Sequence, residues 1–202
     1  MISRRCGDAG QAFPIYITVV AGLLFLAFAY LAVGQAAANR NGAQTAADAA
    51  ALAAAQDTRD QLAGKWLDAV LDPAKWQDIF DGNVPVDPSC WRAYQLAGQN
   101  DAHVEECAPR GLLGYEVSVQ TDKPVGDSIV PGTENKYANA SAIAVIEPLC
   151  TFELPGADVA DDVLPQLTCK EDWVLDPDDP ARLPKPEDLF DVHLADGQAN
   201  DE

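Results

Sequence analysis

The spacing of hydrophobic and polar positions changes several times along the chain, and each change marks a different kind of element. Residues 13–33 form a run of 21 positions without a charge, rich in Leu, Val, Phe, Ile and Tyr. That length is close to the roughly 20 residues that cross a bilayer core as a helix. A buried core helix of this length, apolar on all sides, would need a large domain around it. The remainder of the chain is too polar to provide one, so the run predicts a transmembrane helix. From Ala36 to Ala55 the pattern becomes almost pure helix propensity, because twelve of the twenty residues are alanine and Gly42 is the one strong helix-weakening residue among them. Leu62, Trp66, Leu67, Val70 and Leu71 then restore a spaced apolar stripe until Pro73 ends the element. The spacing therefore predicts one helix running out of an apolar span, residues 13–33, into an alanine-rich stalk, residues 34–72. Gly34 and Gly42 allow a kink between the two.

Beyond Pro73 the helical period is lost. Asp81-Gly-Asn and Val84-Pro-Val-Asp-Pro88 are turn sequences, so residues 76–111 read as a loop-rich subdomain. Alternation follows: Tyr115, Val117, Val119 and Thr121 share one face of a strand, with Glu116, Ser118 and Gln120 on the other. Ala138, Ala140, Ala142, Ala144 and Ile146 line one face of a second strand, with Asn139, Ser141, Ile143 and Val145 opposite. The two are expected to pair as an antiparallel hairpin across the Gly- and Pro-containing connection between Pro124 and Lys136. A strand face lined with alanine is shallow and suits a helix packed close against it. The last segment, residues 176–202, is rich in proline and acid, a composition that predicts a disordered tail in which Leu189, Phe190, Val192 and Leu194 supply one short contact. The fold class is thus α+β: residues 1–12 a leader, 13–33 the span, 34–72 the stalk, 73–175 a small β-containing head and 176–202 the tail.

Charge gives the arrangement a direction. Arg4 and Arg5 precede the apolar run and the next basic residue is Arg40, so the positive-inside rule puts the N-terminus in the cytoplasm and the head outside. The net charge of −19 falls almost entirely beyond the run, which argues against binding of nucleic acid or an anionic membrane surface by the head. Cys6 alone lies on the inner side, while Cys90, Cys107, Cys150 and Cys169 lie on the side that is oxidising. Four cysteines permit three pairings. Short local loops favour Cys90 with Cys107 and Cys150 with Cys169. Neither pair has the C-x₂₋₄-C spacing of a zinc site.

Catalytic chemistry has little to stand on. No nucleophile motif, phosphate-binding loop or dinucleotide fingerprint is present, so no enzyme activity and no cofactor are expected. His103-Val-Glu-Glu-Cys107 resembles a ligand set, but His103 and His193 are the two histidines of the chain, and a histidine-rich metal site cannot be built from them. Asp176, Asp178 and Asp179 lack the glycine and terminal glutamate of a calcium loop. Asn139-Ala-Ser141 is a glycosylation sequon, a pattern common by chance, and its strand position disfavours modification. The stripe Ala43, Ala46, Ala47, Ala50 and Ala54 leaves room for the close approach of another backbone. It serves either as an assembly surface for a neighbouring or identical subunit or as packing for the protein's own sheet.

The short charged leader with Gly10-Gln11, the apolar helix and then Arg40-Asn-Gly-Ala-Gln-Thr-Ala-Ala-Asp-Ala-Ala-Ala-Leu-Ala-Ala-Ala55 resemble the N-terminal region of TadE/TadG-like pilus-assembly proteins. The resemblance covers roughly residues 7–56 and is strongest in the block from Ala46 to Ala55. It implies a non-catalytic, single-pass component of the cell membrane that belongs to a Tad (Flp-type) tight-adherence pilus or related secretion apparatus. Its implied partners are other pilus-assembly proteins or pilin-like subunits. Family members cut by prepilin peptidase carry a glycine at the cleavage point and a glutamate five positions later. Here Gly10 is followed at that distance by Ile15, so the resemblance implies a retained assembly protein. The alternative is a secreted, disulfide-bonded binding protein released by cleavage near Ala38, where small residues suit signal peptidase.

Overall fold

The computed structural model describes residues 12–124, 135–154, 164–170, 172–173, 175–176, 179 and 182–195. Its organising element is a single helix, α1 (Ala12–Asp68), of 57 residues, a length of roughly 86 Å at 1.5 Å per residue. The expected continuation of the apolar run into the alanine-rich segment is therefore present as one element. The helix stops slightly before Leu71, because Ala69 N–H bonds the carbonyls of both Lys65 and Trp66 and the chain tightens into a turn. The Ala69 carbonyl, which a longer helix would have used, accepts the indole N–H of Trp76 at 2.9 Å. A short 3₁₀ turn (Pro73–Lys75) and the one-turn helix α2 (Trp76–Phe80) follow.

The next segment is more regular than its turn sequences suggest. Helix α3 (Cys90–Gln99) buries Ala93 and Ala97, and strand β1 (Ala102–Pro109) forms one edge of the main sheet. The loop-rich reading of residues 76–111 is corrected accordingly. Small alanines give α3 a narrow buried stripe that composition alone hides. In β1, alternation is broken by a register shift between Val104 and Glu106. Such a bulge spoils the period of two on which strand recognition depends.

Strands β2 (Gly114–Thr121) and β3 (Asn139–Pro148) pair antiparallel with the expected alternation, Val117 opposite Ala142 and Val119 opposite Ala140. Tyr115, Val117, Val119 and Thr121 are buried on one side together with Ala140, Ala142, Ala144 and Ile146. Most of the connection between the two strands lies outside the described residues. A second, three-stranded sheet of two-residue strands, β4 (Thr151–Phe152), β5 (Leu167–Thr168) and β6 (Asp172–Trp173), follows.

The acidic segment near the C-terminus corrects another expectation. Residues 186–194 form helix α4 (Pro186–Leu189) and strand β7 (Phe190–Leu194), and β7 pairs antiparallel with β3 to complete the order β1-β2-β3-β7. Average composition favoured disorder for this tail. Leu189 and Phe190 are nevertheless fully buried, and they supply enough apolar surface to hold a short strand against β3. Residues 177–178, 180–181 and 196–202 of that segment, the leader 1–11 with Cys6, and residue Gly10 lie outside the described residues.

One face of the four-stranded sheet is covered by α1, which also contacts α3. The buried residues of α1 recur at i, i+3, i+4, i+7 and i+8, giving a stripe wide enough to meet the sheet and α3 together. Beyond the alanines the core turns aromatic. Trp66 and Trp76 have ring centroids 5.2 Å apart, Trp76 and Phe152 5.2 Å, and Phe80 and Phe190 5.5 Å. This cluster joins α1, α2, β4 and β7 at one end of the head.

Candidate functional site

The side chains that distinguish this chain sit along α1, whose two halves are built in opposite ways. In the first half the large residues face outward: Phe25 is 71 % exposed and Tyr30 82 %, with Leu23, Leu26 and Leu31 exposed around them. The helix contains a window of 18 residues with mean hydropathy 2.3, none of it buried within the protein. By length and composition it can cross a membrane.

In the second half the relation inverts. Ala43, Ala46, Ala47, Ala50 and Ala54 each have 0 % exposure, as do Ala51 and Ala55. The stripe expected as an assembly surface is thus occupied by the chain's own fold. Of the two readings of these alanines, packing against the protein's own sheet is the one the structure shows. α1 lies against β3, β2 and α3, and the small side chains buried on α1 and on β3 suit a close approach of the two backbones. The buried face of residues 43–66 accordingly belongs to the core of the head, and the separate stalk drawn over residues 34–72 shrinks to the exposed stretch before Ala43.

A buried polar network fixes α1 against its neighbours. Thr58 Oγ1 shares a hydrogen bond with Ser89 Oγ at 2.8 Å and donates to Tyr115 Oη at 3.1 Å. The Ser89 backbone N–H also reaches Tyr115 Oη, at 3.4 Å. Gln61 adds a second clamp, accepting from Asp87 N–H at 2.7 Å and donating to Ser89 Oγ at 3.2 Å. Thr58 and Ser89 are buried among apolar neighbours, where unpaired hydroxyls would be costly, so the network sets the position of α1 along β2. Sequence inspection missed these residues. The signal available was a threonine and a glutamine interrupting the alanine-rich helix three positions apart.

Both disulfides have the connectivity favoured by loop length. Cys90–Cys107 ties the first turn of α3 to β1, and Cys150–Cys169 ties the end of β3 to the small sheet. The sheet face turned away from α1 is polar and linked across its strands, by Ser118 Oγ with Ser141 Oγ at 2.8 Å and by Gln120 Nε2 to Asn139 Oδ1 at 2.9 Å. His103 stands near one end of this face. Its Nδ1 lies 2.8 Å from Asp122 and its Nε2 2.9 Å from Glu105, and the hydrogen bond that the ring donates to Asp122 leads in holding its pKa above the ordinary histidine value. Lys123 is raised in the same way by its ion pair with Asp101. Among the described residues no group of three or more His, Cys, Asp or Glu side chains is arranged to hold a metal. An open groove of about 370 Å³ is lined by Lys65, Ala69, Lys75, Asp78, Ile79, Val84 and Pro85.

This architecture defines a class: a β-containing, disulfide-bonded head built on the second half of a helix whose first half has spanning length and an exposed apolar surface. Residues 10–57 match a family model described as "Tad: Putative Flp pilus-assembly TadE/G-like", the family that the leader, apolar helix and alanine block resemble. The matched segment runs from just before α1 to the residue preceding Thr58 and takes in both halves of the helix. No curated protein and no solved structure matches the chain.

Proposed function

We propose that the protein is a membrane-anchored, non-catalytic component of a Tad (Flp-type) pilus or related secretion apparatus, held by a single span with its N-terminus inside. The observation that carries this reading is the coincidence of the family match over residues 10–57 with the exposed apolar half of α1. The four-cysteine head supports placement outside the cytoplasm, because both disulfides need an oxidising compartment to persist. Arg4 and Arg5 support the same orientation. The head then acts by presenting surfaces to other pilus components, and these surfaces lie away from the alanines that its own core consumes.

Protease added to spheroplasts should remove the head and leave a membrane-embedded N-terminal fragment. Deletion of the gene should abolish or reduce surface piliation, and cross-linking should recover other pilus components with the intact chain. A head protected from protease, or unchanged piliation on deletion, overturns the reading.

One observation favours the alternative of release by cleavage. The buried residues of α1 begin at Ala43, so a cut near Ala38 would remove the apolar half and leave the core of the head whole. N-terminal sequencing of the mature protein separates the two: a start at or before residue 11 supports the anchored component, and a start near residue 39 supports a secreted binding protein.

A further inference from the structure

The four-stranded sheet has two edges, and they differ in how well they are closed. At β1 the register shifts between Val104 and Glu106, and the strand ends in Pro109. A bulge and a proline are devices that keep a foreign strand from extending a sheet. β7 has neither. Its pairing with β3 runs without a shift from Phe190 to Leu194, and no proline interrupts it.

The same pairing fixes which backbone groups of β7 point outward. Ala195 N–H bonds the Ile143 carbonyl and Leu149 N–H bonds the Leu189 carbonyl, so Asp191 and His193, which share that parity, bond β3. In an antiparallel ladder the alternate residues turn their N–H and C=O groups away from the paired strand. Here those residues are Phe190, Val192 and Leu194. The Phe190 N–H returns to the Pro186 carbonyl. Among the described residues, the N–H and C=O groups of Val192 and Leu194 and the C=O of Phe190 bond no other group of the chain.

The side chains beside this edge indicate what would complete it. Phe190 is buried, and Val192 and Leu194 are half-buried on the same side, so apolar surface remains at the rim. On the other side Asp191 stands directly across from Glu147 of β3. Like charges opposite one another on paired strands are destabilising. Asp191 meets His193 of its own strand at 3.2 Å, and Glu147 has no ion pair among the described residues.

We propose that the outer edge of β7 docks an extended segment of another protein, which pairs antiparallel as a further strand, sets apolar side chains beside Val192 and Leu194, and places a lysine or arginine opposite Asp191. Main-chain hydrogen bonds to Val192 and Leu194 supply the attachment, and the alternating side chains select the partner. A second copy of this chain fits poorly. Two chains of net charge −19 repel, and pairing β7 with itself antiparallel turns the second α1 through a half-turn, away from the membrane that the first enters. That last point alone rests on the anchored reading above; the edge does not.

The test titrates the isotope-labelled full chain in detergent with the peptide acetyl-Ile-Thr-Ile-Lys-Ile-Thr-amide and follows each backbone amide by NMR. The expected result is a saturable shift and slowed exchange at the Val192 and Leu194 amides, with Asp191 and His193 amides protected before and after. Replacing the lysine of the peptide by glutamate should weaken binding about ten-fold, and Asp191→Lys should reverse that preference. Val192→Pro removes a donor that β3 does not use, so it should abolish peptide binding while near-UV circular dichroism is retained. If that variant unfolds, the charge reversal at Asp191 decides. Equal binding of the two peptides, slow exchange of the Val192 and Leu194 amides without peptide, or their protection by self-association of the chain overturns the proposal. Flotation of the same samples with liposomes reads the anchoring separately.

Discussion

The two halves of α1 share one backbone conformation and differ in how side-chain size is used. From residue 14 to 33 the helix carries large apolar groups that stay exposed, and from 43 to 55 it carries mainly alanines that are largely enclosed. Hydrophobicity per residue would rank the first half as the more deeply buried. Burial follows fit: a helix that must lie close to both a sheet and a second helix needs small side chains, whereas a helix solvated by lipid chains, as proposed for the first half, needs bulky ones. The aromatic pair Trp66 and Trp76 appears where the packing gap widens again at the far end of the head.

Paired substitutions sharpen this contrast, and the largest effect belongs to the aromatic end. Trp66→Ala should cost the head about 3–5 kcal/mol by opening a cavity against Trp76. Phe25→Ala in the exposed half should leave the head's denaturation midpoint unchanged. Near-UV circular dichroism of the full chain in detergent during denaturant titration measures both, and equal effects would erase the distinction between the halves.

Removing the bond that fastens α3 to β1 should come next. Cys90→Ser with Cys107→Ser opens a loop with a sequence separation of 17 residues, and loss of a cross-link of that size costs about 3 kcal/mol. The same titration should show it as a lowered midpoint, while flotation with liposomes stays as before. A matched alanine pair tests close packing directly. Ala47→Leu should destabilise the head by about 1–3 kcal/mol through overpacking, and Ala27→Leu should not, although the two changes are chemically identical. Full tolerance of Ala47→Leu would show that the helix and sheet are less tightly apposed than the structure has them.

The smallest effect is electrostatic and acts on the packed half alone. Asp122 and Glu105 raise the His103 pKa in the folded head, so their stabilisation is complete below the unfolded value of about 6.5 and is lost as pH rises through the raised folded value. Its size should stay under about 0.5 kcal/mol because the ring is exposed and solvent screens the pair. Stability measured from pH 5 to 9 should decline slightly more in the wild-type head than in His103→Gln.

Much of this was legible from residue patterns, and the failures have definite causes. The long helix, the β2–β3 hairpin with its alanine face and the disulfide pairing follow from uncharged run length, alternation and loop size. Strand β7 was hidden because a short strand needs only Leu189 and Phe190 in the core, while its acidic, proline-rich surroundings dominate any average. Helix α3 was hidden by the smallness of Ala93 and Ala97. The use of the alanine stripe was a choice between two partners with identical sequence signatures, an outside subunit or the chain's own sheet. Its resolution depended on β3 presenting Ala140, Ala142 and Ala144 at the matching place. The hydroxyl network of Thr58, Ser89 and Tyr115 joins residues far apart in sequence and carries no local pattern.

The place of Phe190 in the aromatic cluster sets an order of events. Trp66 emerges early in synthesis, its cluster partner Trp76 soon after, and Phe152 and Phe190 much later, with β7 the last to be made of the four strands in the main sheet described. The enclosing contacts are therefore mostly between residues distant in sequence, which makes folding slow relative to a locally connected helical bundle. Until β7 arrives, β3 has an open edge and the aromatic end of the core lacks one of its walls. An alanine helix is a forgiving element to leave waiting in that interval, because it holds its conformation by propensity and exposes little apolar surface for misplaced chains to adhere to.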